Sequence, residues 1–190
     1  ILGNLSCEMC YGEVEQINSM YDVKQTLEDY YYRINRKTAL LFAACCQLGA
    51  LASEASAEEI QTFYDIGYNM GMAFQIKDDI FDYYNSKKIG KPTGNDMLEG
   101  KLTLPVLYAL NSTKDKAAEE IAVKVKSGSA TTDEIDYLIE FAKQQGGIEY
   151  AVQTMLTFKE KALSLLASLP DSDVKAALTA YLDYVVDRDK

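Results

Sequence analysis

Asp78, Asp79 and Asp82 lie within five residues of one another, and Gln75 precedes the first by three. On an α-helix Asp78 and Asp82 stand one turn apart on one face. Gln75 joins that face, and Asp79 sits about 100° round the axis. Clustered carboxylates suit a hard divalent cation, and Mg²⁺ is commonly held by one or two carboxylates completed by substrate phosphate oxygens. Lys91 and Lys101, each preceded by glycine, follow farther along the chain. Their flexible ammonium groups are suited to neutralising phosphate. Together these residues suggest metal-bridged binding of a diphosphate. A solvated acidic helix face would carry the same letters, so the aspartates alone do not decide. A calcium loop of the EF-hand kind is excluded, because its sixth position needs glycine and here holds Tyr83.

The elements that must position these residues read as helices. Periodicity predicts helices over about 5–20 and 23–51, then one from about Ser56 to Tyr84. Shorter helices follow over about 103–111, 114–126, 131–145, 147–168 and 172–187. Leu40, Leu41, Ala44 and Leu48 define one side of the second helix. Ser56 is placed to cap the third, with Glu58 and Glu59 favouring its dipole. Thr132 with Glu134, and Pro170-Asp171-Ser172, are further start signals. Gly146-Gly147 ends one helix and lets the next begin. Residues 85–96, with Gly90, Pro92 and Gly94, read as loop. No segment reads as a strand. The expectation is one all-α domain over 1–190.

Composition agrees. The chain has only 3 prolines and is 48% apolar, which favours long uninterrupted helices. No apolar run approaches the length of a membrane span; the nearest is the mixed stretch Ala39 to Ala52. The net charge of −10 argues against a nucleic-acid partner. Between Gln75 and Lys101, however, five lysines balance five acids, and Arg33, Arg36 and Lys37 add a basic cluster upstream. Cys7-x-x-Cys10 invites a zinc or redox reading, but the chain has no histidine and its other pair, Cys45-Cys46, is adjacent. Reduced thiols packed between helices are the expectation.

Taken whole, the string from Phe74 to Pro105 resembles the second aspartate-rich region of the all-trans isoprenyl (polyprenyl) diphosphate synthases. Phe74-Gln75, Asp78-Asp79, Asp82, Gly90-Lys91, Gly94, Asp96, Gly100-Lys101 and Thr103-Leu104-Pro105 carry the likeness. Arg36-Lys37-Thr38-Ala39, with Tyr30 and Ile34 upstream, resembles the family's Lys-Thr site, and Gly12-Glu13 with Gln16 its GExxQ segment. The run from Gly146 through Leu169-Pro170 to Arg188 is a looser match. The family's first aspartate motif and its N-terminal Gly-Lys-Arg region have no counterpart in these residues. The chain is therefore expected to be the C-terminal part of a longer synthase, inactive by itself.

The resemblance implies a bundle of long antiparallel helices of the isoprenoid synthase type. It also implies a prenyltransferase that adds isopentenyl diphosphate to an allylic diphosphate by Mg²⁺-assisted ionisation, giving medium- or long-chain products. By the same resemblance Asp78 is the principal metal ligand, with Asp79 and Asp82 in support. Lys37, Lys91 and Lys101 bind the diphosphate, and Thr38 and Gln75 steady the cation or the proton transfer. Tyr30 is expected to help line the site. A cytoplasmic homodimer is implied too. Each residue has a plainer reading: Lys37 as a solvated lysine, Gln75 as a partner for a backbone group, Tyr83 and Tyr84 as packing. Two other functions fit the fold. One is a non-catalytic partner subunit of a heteromeric synthase. The other is a class I terpene cyclase, which usually carries an NSE/DTE-type second motif instead.

Overall fold

The computed structural model describes residues 1–19, 25–84 and 93–188, and among them every regular element is helical. The helices are α1 (Leu2–Ser19), α2 (Leu27–Ile34), α3 (Leu40–Ala52), α4 (Ala57–Phe81), α5 (Asn95–Leu98) and α6 (Leu104–Ser112). They continue with α7 (Lys116–Lys126), α8 (Thr132–Gln144), α9 (Gly147–Ala167) and α10 (Asp173–Asp187). None of the described helices is long and apolar enough to cross a membrane. Contacts gather the chain into two compact units. The first holds Ile1–Glu13, Arg33–Lys77 and Thr154–Asp189; the second holds Val14–Tyr32 and Asp78–Gln153.

Helix ends follow local chemistry. Ser56 and Glu59 form a reciprocal pair at the start of α4: Glu59 N–H donates to Ser56 Oγ at 3.3 Å and Ser56 N–H to Glu59 Oε2 at 2.8 Å. Ser172 caps α10 as expected, accepting from Lys175 N–H at 3.1 Å. The start of α8 differs from expectation by one residue, because the cap is Thr131, whose three-residue spacing from Glu134 closes a full capping box. Thr26 and Asp29 close a similar pair at the start of α2, so that helix begins at Leu27 rather than near residue 23. Gly146, at φ 75°, separates α8 from α9.

In the first unit the expected long helix is interrupted by a π-helical turn, Asn35–Ala39, where Leu40 N–H reaches back five residues to the Asn35 carbonyl. The expected leucine face is corrected too. Leu41 is exposed, and the fully buried residues of this stretch are Ala39 and Ala43. The reason lies on α4. A methyl on Gly71 would stand 2.6 Å from Ala39 Cα, and one on Gly67 would stand 2.5 Å from the Phe42 carbonyl oxygen. Two backbones that approach so closely leave room for alanine and glycine only, and leucine is turned away. Beside this contact Ile66 and Met70 of α4 form a core with Ala162 and Leu166 of α9 and Leu182 of α10. Arg188 ties the end of the unit to α4, donating to the Phe74 carbonyl at 3.1 Å and lying 4.1 Å over the Phe74 ring.

The second unit packs α6 and α7 against α8, with Leu104, Val106, Leu107, Leu138 and Ile139 buried. Its least expected feature is the start of α6. Thr103 occupies the cap position, but its side chain makes no cap bond. The fully buried Tyr83 takes over: its hydroxyl accepts from Val106 N–H at 3.3 Å and lies 3.0 Å from Thr103 Oγ1. Burial pushes the Tyr83 phenol far above its ordinary value, so it stays protonated and acts as a fixed dipole. Tyr83→Phe keeps the ring but strands both partners in the core. It should lower the unfolding free energy by about 1–3 kcal/mol, read from urea midpoints at unchanged m-value. Tyr84, expected to pack as well, is half exposed.

The four cysteines are free, as expected, yet Cys7, Cys10 and Cys45 are exposed and only Cys46 is half-buried. The expectation of packed thiols therefore fails for three of them. The sequence places Cys7 and Cys10 on a helix correctly but does not say which face turns outward; α1 also leaves Leu2, Tyr11, Val14 and Ile17 exposed.

Candidate active site

The candidate residues fall in both units. In the first, the π turn carries Arg36, Lys37 and Thr38. A π turn fits an extra residue into one helical turn and re-aims the side chains that follow, and such turns are frequent at functional sites. Gly12 of α1 abuts this turn so closely that a methyl there would lie 2.9 Å from Arg36 Cβ and 3.3 Å from Lys37 N. Arg36 is engaged by α1 as well, pairing with Glu8 at 2.8 Å. Lys37 is half-buried beside it. Thr38 Oγ1 donates to Gln75 Oε1 at 2.6 Å. That bond follows from the glycine contact, since Gln75 lies one turn beyond Gly71 on the same face of α4. The two catalytic candidates from distant parts of the sequence are thus brought together.

In the second unit the three aspartates have three environments. Asp78 is half-buried. Asp79 is 5% exposed and accepts a hydrogen bond at 2.7 Å from the hydroxyl of Tyr30, itself 0% exposed. Asp82, just past the end of α4, accepts from two backbone amides: Asn95 N–H to Oδ1 at 2.9 Å and Asp96 N–H to Oδ2 at 3.0 Å. Its carbonyl accepts from Gly94 N–H at 2.9 Å. Asp82 therefore caps α5 and fixes the position of residues 94–96. Gly94 is required there twice, by its φ of 76° and by Ile135, which stands 2.6 Å from where a methyl would be.

Burial, then the neighbouring Asp96, holds the Asp82 carboxyl above its ordinary 3.8, while the two amides pull the other way. A raised value means that the folded chain binds this proton more tightly than the unfolded one. Its contribution to stability is full below 3.8 and is lost as pH rises through the raised value.

Lys101 directly follows Gly100, whose φ of 77° closes a Schellman turn on α5. In that turn Gly100 N–H reaches the Met97 carbonyl and Lys101 N–H that of Asp96. The Lys101 ammonium pairs with Glu99. Lys91 lies outside the described residues. Among the described residues no three Asp, Glu or Cys side chains converge as a ready-made ion cage. In a chain without histidine these carboxylates are hard oxygen donors, of the kind that Mg²⁺ completes with water and phosphate oxygens.

Known proteins resemble this chain in sequence and in fold. The polyprenyl synthetase family's sequence model matches residues 1–142. Component 2 of heptaprenyl diphosphate synthase from Bacillus subtilis is 39% identical over 186 residues, which are 97% of this chain and 52% of that protein. A short chain isoprenyl diphosphate synthase from Methanothermobacter thermautotrophicus is 34% identical over 97% of this chain and 57% of its own length. The crystal structure of geranylgeranyl pyrophosphate synthase from Bacteroides thetaiotaomicron superposes with a TM-score of 0.93 at 54% identity, covering 98% of this chain and 62% of that one. The all-α fold is thus that of the isoprenyl diphosphate synthases. The chain spans little more than half the length of the curated relatives it matches.

Proposed function

Because the chain belongs to the polyprenyl synthetase family, we propose that it supplies part of a prenyltransferase site joining isopentenyl diphosphate to an allylic diphosphate. The observation that carries the reading is α4 itself, one helix that bears Gln75, Asp78 and Asp79 and leads directly into Asp82. In the reaction the allylic C–O bond breaks and its electron pair leaves with the diphosphate. The isopentenyl double bond then supplies the pair for the new C–C bond, and loss of a proton restores a double bond.

Lys37, Lys91 and Lys101 neutralise the departing diphosphate. The Thr38 and Gln75 oxygens, 2.6 Å apart, place two dipoles together where positive charge or a migrating proton can be steadied. Mg²⁺, when bound, would add charge neutralisation of the leaving group, held by Asp78 with Asp79 and Asp82 in support. Medium- to long-chain all-trans products belong to the proposal, in keeping with the relative named for heptaprenyl diphosphate. A homodimer working in the cytoplasm belongs to the same proposal.

A second reading, a non-catalytic partner subunit of a heteromeric synthase, is favoured by the B. subtilis relative, which is component 2 of its enzyme and so one part of a multi-component assembly. The test is prenyl transfer by the gene product that carries these residues, with labelled isopentenyl diphosphate, farnesyl diphosphate and MgCl₂. Magnesium-dependent extension by that protein alone supports the synthase. Extension only after a partner subunit is added supports the second reading, and a folded protein inactive in both assays overturns them together.

A further inference from the structure

The three aspartates share a motif but not an environment, and the difference divides their labour. We propose that Tyr30 is a positioning residue whose buried hydroxyl holds Asp79 inward, so that Asp79 braces the motif while Asp78 takes the metal. The inference rests on the prenyltransferase reading and goes beyond it.

Tyr30 Oη donates to Asp79 Oδ2 at 2.7 Å across 49 residues of sequence, and both side chains are shut off from solvent. A buried carboxylate is costly unless hydrogen-bonded, and this bond helps hold Asp79 in position. Mg²⁺ retains several waters and meets substrate oxygens, and its ligands must therefore reach the solvated side of the site. Asp79, 5% exposed, does not; Asp78, about 100° round the helix, is half-buried and open enough to do so. Pinning Asp79 fixes the rotation of this end of α4 about its axis, and with it the direction of Asp78.

Tyr30 is itself held. Its ring meets Tyr31 edge-on at 5.5 Å, and the Tyr31 hydroxyl lies 3.3 Å from that of Tyr150. Tyr150 in turn stacks on Tyr108 at 4.1 Å. Aromatic contacts of this geometry favour a single arrangement of the rings. Phenylalanine would pack equally well at position 30, so what the proposal requires is the hydroxyl.

The test uses calorimetry of inorganic pyrophosphate binding to the gene product with MgCl₂ present and absent, together with urea midpoints. The variants are Tyr30→Phe, Asp79→Asn, their double and Asp78→Asn. Tyr30→Phe should weaken magnesium-dependent binding about tenfold, the scale of losing a group that orients a metal ligand. Asp79→Asn keeps an acceptor for Tyr30 and gives up the charge; its loss should be smaller than that of Asp78→Asn by at least about tenfold. The double variant should lose little more than Tyr30→Phe alone, because Asp79→Asn gives up only a charge that does not reach the metal. The proposal is overturned if Tyr30→Phe lowers the urea midpoint but leaves magnesium-dependent affinity unchanged. It is equally overturned if Asp79→Asn loses as much as Asp78→Asn, while the prenyltransferase reading survives both results. A wild type that binds pyrophosphate without regard to magnesium would remove that reading and this proposal with it.

Discussion

Asp78→Ala should reduce prenyl transfer by at least about 10²–10³-fold in kcat, the scale on which a single charge-stabilising group acts on a transition state. The loss should fall on kcat and kcat/KM alike, since the group acts on charge that develops only as the diphosphate departs. Steady-state rates at saturating MgCl₂ measure it, with unfolding curves alongside. The side chain is half-buried in the last turns of a long helix, where alanine is well tolerated, so the urea midpoint should move less than for Asp82→Ala. Asp82→Ala makes the contrast. Two amides and the start of α5 lose their acceptor there, and stability should fall together with activity. A result in which Asp78→Ala behaves like Asp82→Ala would place Asp78 among the structural residues.

Gly71→Ala should destabilise the chain, although alanine is the better helix former. Propensity favours the change by about 1 kcal/mol. Against it stands a methyl 2.6 Å from Ala39 Cα, a backbone atom that cannot swing aside, and overpacking of this kind costs about 1–3 kcal/mol. The clash wins, and Gly71→Val should be worse. Gly49 of α3 provides the control, because nothing stands within 4 Å of an added methyl. Gly49→Ala should be neutral or stabilising by up to about 1 kcal/mol. The cost at Gly71 should also reach function. Moving α4 away from the π turn separates Thr38 from Gln75, so kcat should drop by more than the folded fraction explains. Urea denaturation paired with rates for the three variants decides the matter.

Much of this was legible in the sequence, for identifiable reasons. Helices came through because caps and periodicity are local; Ser56, Ser172 and Gly146 act within a turn of where they stand. The resemblance gave Thr38 and Gln75 a similar role, but their hydrogen bond was not legible, since nothing local links residues 37 apart. The π turn was not legible, as it depends on the fit of Ala39 against Gly71. Nor were the separate tasks of the aspartates. Spacing puts Asp78 and Asp82 on one face but cannot say that backbone amides from residues 95 and 96 will occupy Asp82, or that Tyr30 will reach Asp79. Tyr83 shows the same limit: its letter says packing, and the structure adds a hydroxyl that starts another helix.

The adjacent thiols of α3 have a consequence for time rather than for structure. Cys45 meets solvent, whereas its half-buried neighbour has a thiol raised above its ordinary value by burial and by Cys45 itself. Thiols react as thiolates, so the exposed member of the pair should react first and its half-buried neighbour more slowly. Side by side in one chain, they form two internal standards, one read at the surface and one behind it.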